Sequence, residues 1–92
     1  MIAFVNLNST KNGVVNKFLS KFYNNELNIK ENNWEKKFNN PVEIAELIGV
    51  YIDNSEDYSL TMWISLDEGI IVKVDSSNAN EIIKYLYERF PY

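Results

Sequence analysis

The strongest constraint on the fold is the alternating segment YSLTMWISL, which spans residues 58–66. Apolar residues occupy every second position, and Ser, Thr and one tryptophan, Trp63, occupy the positions between them. A period of two predicts a β-strand with one buried face. The other face of such a strand normally meets water, so the position of Trp63 on that face needs an explanation.

The residues that follow predict a hairpin and fix its register. DEG comes next and then IIVKV, and a three-residue loop that ends in glycine is a common hairpin connection. With this loop Ile64 lies opposite Val72 and the buried face is entirely apolar, whereas a two-residue loop would set Lys73 opposite Ile64. In the three-residue register Trp63 lies opposite Lys73. The other residues predicted on the face of Trp63 are Thr61, Ser65 and Ile71.

Two segments near the ends of the chain have the apolar spacing of amphipathic helices. In residues 14–27, apolar side chains recur at intervals of four in two adjacent rows, and NST at 8–10 supplies candidate N-caps. The last helix is predicted to begin at Asn78, with Glu81 completing a capping pair, and to stop at Pro91.

A third helix has the clearest start signal in the sequence. Asn40 is a favourable N-cap, Pro41 suits the first helical position, and Glu43 suits the third. Apolar spacing continues to Asp53, so we predict a helix to that point. The segment LIGVYID at 47–53 also fits a strand, because Gly49 disfavours a helix interior; the helix is the preferred interpretation.

Segment 28–40 is polar and has no clear period, so it is predicted as a loop in which Trp34 and Phe38 could anchor one helical turn. The predicted order is therefore β-α-α-β-β-α. This order is typical of an α+β domain: a small sheet of three or four strands, including an antiparallel hairpin, with about three helices packed on it. Residues 1–92 are expected to form a single domain with one core.

The composition removes the usual means of catalysis. The sequence contains neither cysteine nor histidine, so it lacks a thiolate nucleophile, the commonest general base and the commonest transition-metal ligands. No nucleophile-elbow, phosphate-loop or dinucleotide motif is present. The acidic stretch DNSED lacks the glycine and terminal glutamate of a calcium loop. We therefore expect no enzymatic activity, no cofactor and no metal site.

The same composition bears on where the protein acts. Absence of cysteine favours a reducing, cytoplasmic location, and no apolar run approaches the roughly 20 residues needed to cross a bilayer. The opening MIAFVNLNST has no basic region and is interpreted as a strand and not as a signal peptide. Abundant Asn, Lys and Ile, which have AT-rich codons, indicate a low-GC bacterium or phage.

Charge is divided unevenly along the chain, whose formal net charge is −4. Residues 1–40 have six lysines and three glutamates, or +3, and residues 41–92 have three basic and ten acidic residues, or −7. A compact acidic protein can dock on a basic protein surface through charge steering and aromatic anchors, as nuclease inhibitors and immunity proteins do. The competing interpretation is that these charges mix on the folded surface.

We therefore expect a small, non-catalytic acidic protein that docks on another protein as an inhibitor, immunity protein or regulator. The candidate contact residues are Trp63, Lys73, Ile71, Tyr51, Asp53, Glu56 and Asp57. If the face of Trp63 is open, Trp63, Ile71 and Tyr51 form an apolar patch of the kind that anchors partners. The alternative is that a helix or segment 28–40 covers Trp63, which is favoured on general grounds because large exposed aromatics are uncommon on monomers.

Two other functions remain open. One is binding of a single-stranded nucleic acid, in which lysines contact phosphates and Trp34 stacks on a base. The lysines concerned are at positions 11, 17, 21, 30, 36 and 37. The acidic net charge opposes this alternative. The second of these alternatives is self-association through an exposed strand edge or through the face of Trp63. No membrane partner is expected.

Overall fold

One antiparallel sheet and three helices form the fold, and the structure, a computed structural model, describes residues 3–54, 59–66 and 69–89. The elements along the chain are β1 (Ala3–Ser9), α1 (Val14–Tyr23), β2 (Asn33–Phe38), α2 (Pro41–Asp53), β3 (Leu60–Leu66), β4 (Ile71–Lys73) and α3 (Ala79–Arg89). The four strands lie in the order β2-β1-β3-β4. The predicted α+β class is confirmed, and the described residues contain one more strand than the predicted order.

The predicted hairpin register is confirmed. Ile64 lies opposite Val72 and Trp63 lies opposite Lys73. Gly69 has φ of 80°, the left-handed conformation that the last residue of a three-residue hairpin loop requires. Asp67 and Glu68, the other two residues of that loop, lie outside the described residues.

A single core lies between one face of the sheet and the three helices. Alternate residues of the two central strands, among them Val5 of β1 and Ile64 of β3, are fully buried. The helical residues of the core are Val15, Phe18 and Leu19 of α1, Ile44, Leu47, Ile48 and Tyr51 of α2, and Ala79, Ile82 and Leu86 of α3. All three helices therefore cover the same face. On the opposite face, every described strand residue is exposed or half-buried.

The start of α2 is as predicted. The Asn40 side-chain oxygen accepts a hydrogen bond from the backbone N–H of Val42 at 3.0 Å, and Pro41 occupies the first turn. The helix continues to Asp53, so residues 47–53 are helical and do not form a strand. Buried apolar side chains on both sides of Gly49 offset the cost of a glycine in the helix interior.

The start of α1 differs from the prediction. The N-cap is Gly13, which has φ of 81° and makes no side-chain capping bond. Asn8 and Ser9, two of the three predicted caps, instead belong to the end of β1. A left-handed glycine supplies the turn between strand and helix. The helix begins at Val14, where the amphipathic pattern begins, and ends at Tyr23, before Leu27, the last residue of that pattern.

Segment 28–40 contains the strand that the sequence analysis missed. β2 pairs antiparallel with β1, and Trp34 lies opposite Leu7. Trp34 and Phe38 therefore face the helices, where Phe38 is 2% exposed. Residues four apart share a face in a strand as well as in a helix, so their spacing alone could not distinguish the two structures.

Lys36 explains why the sequence of β2 does not show the apolar alternation of a strand. It shares a face with Phe38, and its Nζ atom lies 4.9 Å from the centroid of the Phe38 ring. The same Nζ atom donates a hydrogen bond to the Tyr23 hydroxyl at 3.3 Å and lies 3.6 Å from the Glu43 carboxylate. Burial alone would lower the pKa of Lys36, but the bond to Tyr23 and the charge of Glu43 outweigh burial and raise it.

The two edges of the sheet differ. At the β4 edge, the Asn78 side-chain amide donates to the Lys73 carbonyl at 2.8 Å, and its oxygen accepts from the Asp75 N–H at 2.9 Å. Asn78 thus occupies the C-terminal end of this edge, where β4 is only three residues long. At the β2 edge, no described residue forms a backbone hydrogen bond with the outer side of the strand.

Candidate functional site

Three large apolar side chains lie on the face of the sheet that carries no helix. Phe4 of β1 is 41% exposed, Trp63 of β3 is 37% exposed and Ile71 of β4 is 64% exposed. Ser65 lies opposite both Phe4 and Ile71, so Trp63, two residues before Ser65, is a diagonal neighbour of both. We name Phe4, Trp63 and Ile71 the open-face patch.

Charged residues flank the open-face patch on both sides. Lys37 of β2 lies opposite Phe4, and Lys73 of β4 lies opposite Trp63. Glu35 of β2 lies on the same face, two positions before Lys37. The described charged residues of this face are therefore two lysines and one glutamate, so the face is not acidic.

Most of the described acidic residues in the second half of the sequence lie on the helices. The described acidic residues there are Glu43, Glu46 and Asp53 of α2, Glu81 and Glu88 of α3, and Asp75 before α3. The helices cover the other face of the sheet. The described acidic residues of the helices and the predicted aromatic anchor therefore belong to different parts of the molecule.

A network of asparagine side chains adjoins the open-face patch. The Asn6 amide donates to the Asn33 side-chain oxygen at 2.7 Å, and the Asn8 amide donates to the Asn6 side-chain oxygen at 2.9 Å. The first of these bonds joins β1 to β2 on the open face, and the second lies within β1. They give the patch a polar border of fixed geometry, and an apolar centre with a polar rim is typical of protein–protein interfaces.

The structure brings together some of the predicted contact residues. Trp63, Ile71 and Lys73 share the open face as predicted. Tyr51 does not join them: it is 6% exposed, and its hydroxyl donates to the Leu60 carbonyl at 3.1 Å on the helix side of the sheet. Burial raises the pKa of Tyr51 above its ordinary value. The expectation that Tyr51 belongs to the apolar patch is corrected, because α2 turns this side chain into the core.

The predicted acidic residues lie apart from the patch or beyond what is described. Asp53 is the last residue of α2 and is exposed. Glu56 and Asp57 lie outside the described residues. Within residues 3–54, 59–66 and 69–89, no group of three or more acidic side chains is arranged to hold a metal ion. None of the described helices has the length and apolar character needed to span a membrane.

The lysines of the first 40 residues do not form one surface. Lys36 and Lys37 are consecutive in β2 and lie on opposite faces of the sheet. Trp34 faces the helices, so it is not available as a stacking platform beside Lys37. The Nζ atom of Lys21 in α1 donates to the Asn54 side-chain oxygen at 2.7 Å. The arrangement predicted for a nucleic-acid grip is therefore absent from the described residues.

Phe4 is the patch residue that the sequence analysis missed. The sequence analysis interprets the opening MIAFVNLNST as a strand without assigning its faces, although Phe4, Asn6 and Asn8 occupy alternate positions in it. The two asparagines indicate a face in contact with water. Extending their spacing back by two residues would have assigned Phe4 to that face.

A small cleft lies on the other side of the sheet, between α3 and the hairpin. Its volume is 270 Å³, and Leu66, Ile70, Val72 and Ile82 form much of its wall. The Tyr85 hydroxyl, which also lines it, is buried and has no hydrogen-bond partner in the described part of the chain. The cleft is apolar and holds no cluster of acid–base groups, so its chemistry does not indicate catalysis.

Comparison of the chain with protein-family models, with curated proteins and with solved structures finds no match.

Proposed function

We propose that this chain is a non-catalytic cytoplasmic protein that docks on another protein through the open-face patch, as an inhibitor, immunity protein or regulator. The observation that supports the proposal is the exposure of Phe4, Trp63 and Ile71 together on a sheet face without helices. Aromatic side chains at the centre of an interface supply much of its binding energy. Grouped exposed apolar residues are uncommon on monomers unless they meet a partner.

The border of the patch favours a protein as that partner. The asparagine network and the Glu35, Lys37 and Lys73 side chains give an apolar centre with a mixed polar rim, which matches the composition of protein interfaces. The net charge of −4 favours a partner with basic surroundings, because long-range attraction raises the rate of encounter. The acidic helices would then attract the partner at long range, and the open-face patch would make the direct contacts with it.

Photo-crosslinking in cells that express the chain tests this proposal. Ile71, the most exposed residue of the patch, is replaced by photoreactive benzoylphenylalanine, and irradiation is expected to give a protein adduct that survives nuclease treatment. The matched control carries the same group at Tyr87 of α3, which is 42% exposed. Absence of an adduct at position 71, or the same adducts in equal yield from both positions, would contradict docking at the open-face patch.

Single-stranded nucleic acid is a second candidate ligand for the same face. Phe4 and Trp63 stand on the two central strands, and Lys37 and Lys73 lie on either side of them. Aromatic residues on an open sheet can stack on bases while lysines contact phosphates. The acidic net charge of the chain weighs against this candidate, because phosphate attraction dominates such binding.

A gel shift with single-stranded DNA and RNA oligonucleotides at low salt separates the two candidates. We expect no shift, since repulsion between an acidic chain and phosphates is strongest when screening is weakest. A shift that Trp63→Ala abolishes and that salt suppresses would identify nucleic acid as the ligand of the patch and would displace the protein-docking proposal. The control is Tyr87→Ala, which also removes an exposed aromatic ring but does so on α3.

A further inference from the structure

The outer edge of β2 carries unpaired backbone groups. The Ser9 N–H donates to the Asn32 carbonyl at 2.9 Å. Because hydrogen-bonded pairs alternate along an antiparallel ladder, residues 34, 36 and 38 direct their backbone groups toward β1. The N–H and C=O groups of Asn33, Glu35 and Lys37 therefore point away from the sheet. No hydrogen bond in the described part of the chain reaches them.

The side chains of this edge are also accessible. Asn33, Glu35 and Lys37 are all exposed, so no loop or helix of the described chain covers the strand from the open face. The opposite edge of the sheet is shorter, because β4 has three residues against the six of β2, and the Asn78 amide occupies its C-terminal end. Of the two edges, β2 offers the longer row of free backbone groups to another strand.

We propose that β2 pairs antiparallel with β2 of a second copy of this chain, about a two-fold axis that passes beside Lys36. In this register Glu35 lies opposite the partner's Lys37, and Lys37 lies opposite the partner's Glu35. Both pairs are hydrogen-bonded pairs, so the free backbone groups of Glu35 and Lys37 are satisfied at the same time. Opposite charges that face each other across strands stabilise the pairing.

Charge selects this register over its neighbours. A shift of two residues in one direction would set Glu35 opposite the partner's Glu35, and a shift in the other would set Lys37 opposite the partner's Lys37. Like charges placed directly opposite destabilise a strand pair. Lys36 does meet its counterpart on the helix side of the sheet, but each Lys36 has a carboxylate of its own chain, Glu43, at 3.6 Å.

The pairing joins two four-stranded sheets into one continuous sheet. Residues that lie directly opposite in a strand pair have side chains on the same face. Both open-face patches therefore lie on one side of the dimer, and all the helices lie on the other. Glu35 and Lys37 also border the open-face patch, but self-association does not depend on the function proposed above, because the β2 edge does not include Phe4, Trp63 or Ile71.

Charge reversal tests both the partner and the register. Light scattering on the full chain at low salt is expected to give a mass approaching twice 10.8 kDa as concentration rises. Glu35→Lys and Lys37→Glu, tested separately, are expected to remain at the mass of the monomer, because each sets like charges opposite one another. An equimolar mixture of the two variants, and the double variant Glu35→Lys/Lys37→Glu, are expected to regain the dimer mass, because both restore opposite charges.

Circular dichroism on each variant verifies that a monomeric mass reflects lost pairing and not lost folding. A wild-type mass that stays at that of the monomer over all concentrations overturns the proposal. Single variants that dimerise as the wild type does, or a mixture that fails to recover the dimer, also overturn it. Trp63→Ala is expected to stay dimeric, so loss of docking at the open-face patch and loss of pairing at β2 give different results.

Discussion

Replacing Phe18 with alanine is expected to lower the free energy of unfolding by about 3–5 kcal/mol. Phe18 is fully buried, and its ring meets the Tyr51 ring edge-on with a centroid distance of 6.3 Å. The substitution removes the burial of a large side chain and leaves a cavity between α1 and α2. Urea denaturation followed by circular dichroism measures the loss.

Phe4→Ala is the matched control, because it makes the same chemical change on the open face. Phe4 is 41% exposed, and a substitution at the surface typically changes stability by about 0.5 kcal/mol or less. We therefore expect a small loss that is well separated from that of Phe18→Ala. Losses of similar size would mean that the open face is covered, which would remove the basis for a docking surface there.

Trp63→Ala is expected to have the largest effect on partner binding. Truncating an aromatic at the centre of an interface typically costs about 2–4 kcal/mol, which corresponds to roughly a thirty- to thousandfold weaker complex. The measurement is the yield of the adduct from benzoylphenylalanine at position 71, compared with and without the substitution. We expect the adduct to disappear at the same expression level while the chain stays folded.

Trp34→Ala, in the same sheet, is expected to show the opposite pattern: a loss of stability without a loss of partner binding. Trp34 is half-buried and packs against the core from the helix side, so its loss is expected to reduce stability and to leave the adduct yield per folded chain unchanged. Adducts that disappear with Trp34→Ala and persist with Trp63→Ala would contradict docking on the open face.

The elements that the sequence predicts well are those with a complete local signal. The hairpin follows from strict alternation together with a glycine at the one loop position that needs a left-handed conformation. The start of α2 follows from Asn40 and Pro41, whose roles depend only on their neighbours in the chain. Neither feature requires knowledge of what lies across the core.

β2 could not be predicted because its signal is tertiary. One of its residues on the helix face is Lys36, which is stabilised by the Tyr23 hydroxyl of α1, the Phe38 ring and the Glu43 carboxylate of α2. Those groups come together only in the folded chain. A lysine whose stem packs on aromatic rings removes the apolar alternation on which recognition of a strand depends.

The candidate site was predicted only in part, because some of its features depend on tertiary packing. Trp63, Ile71 and Lys73 follow from the hairpin register, which is local. Whether their face was open depended on where three helices pack, and spacing along the chain does not contain that information. Tyr51 was assigned to the patch on residue type alone, and the direction of α2 carries it to the other side of the sheet.

The Asn78 amide at the β4 edge limits how far strand pairing can continue. A sheet with two unpaired edges can add copies head to tail without end and grow into a fibril. In the proposed dimer the two β2 edges pair with each other, so each copy keeps only its β4 edge, which is three residues long and is occupied at its C-terminal end by Asn78. Growth beyond two copies would have to use this short edge, and a polar residue in the turn after β4 therefore opposes polymerisation.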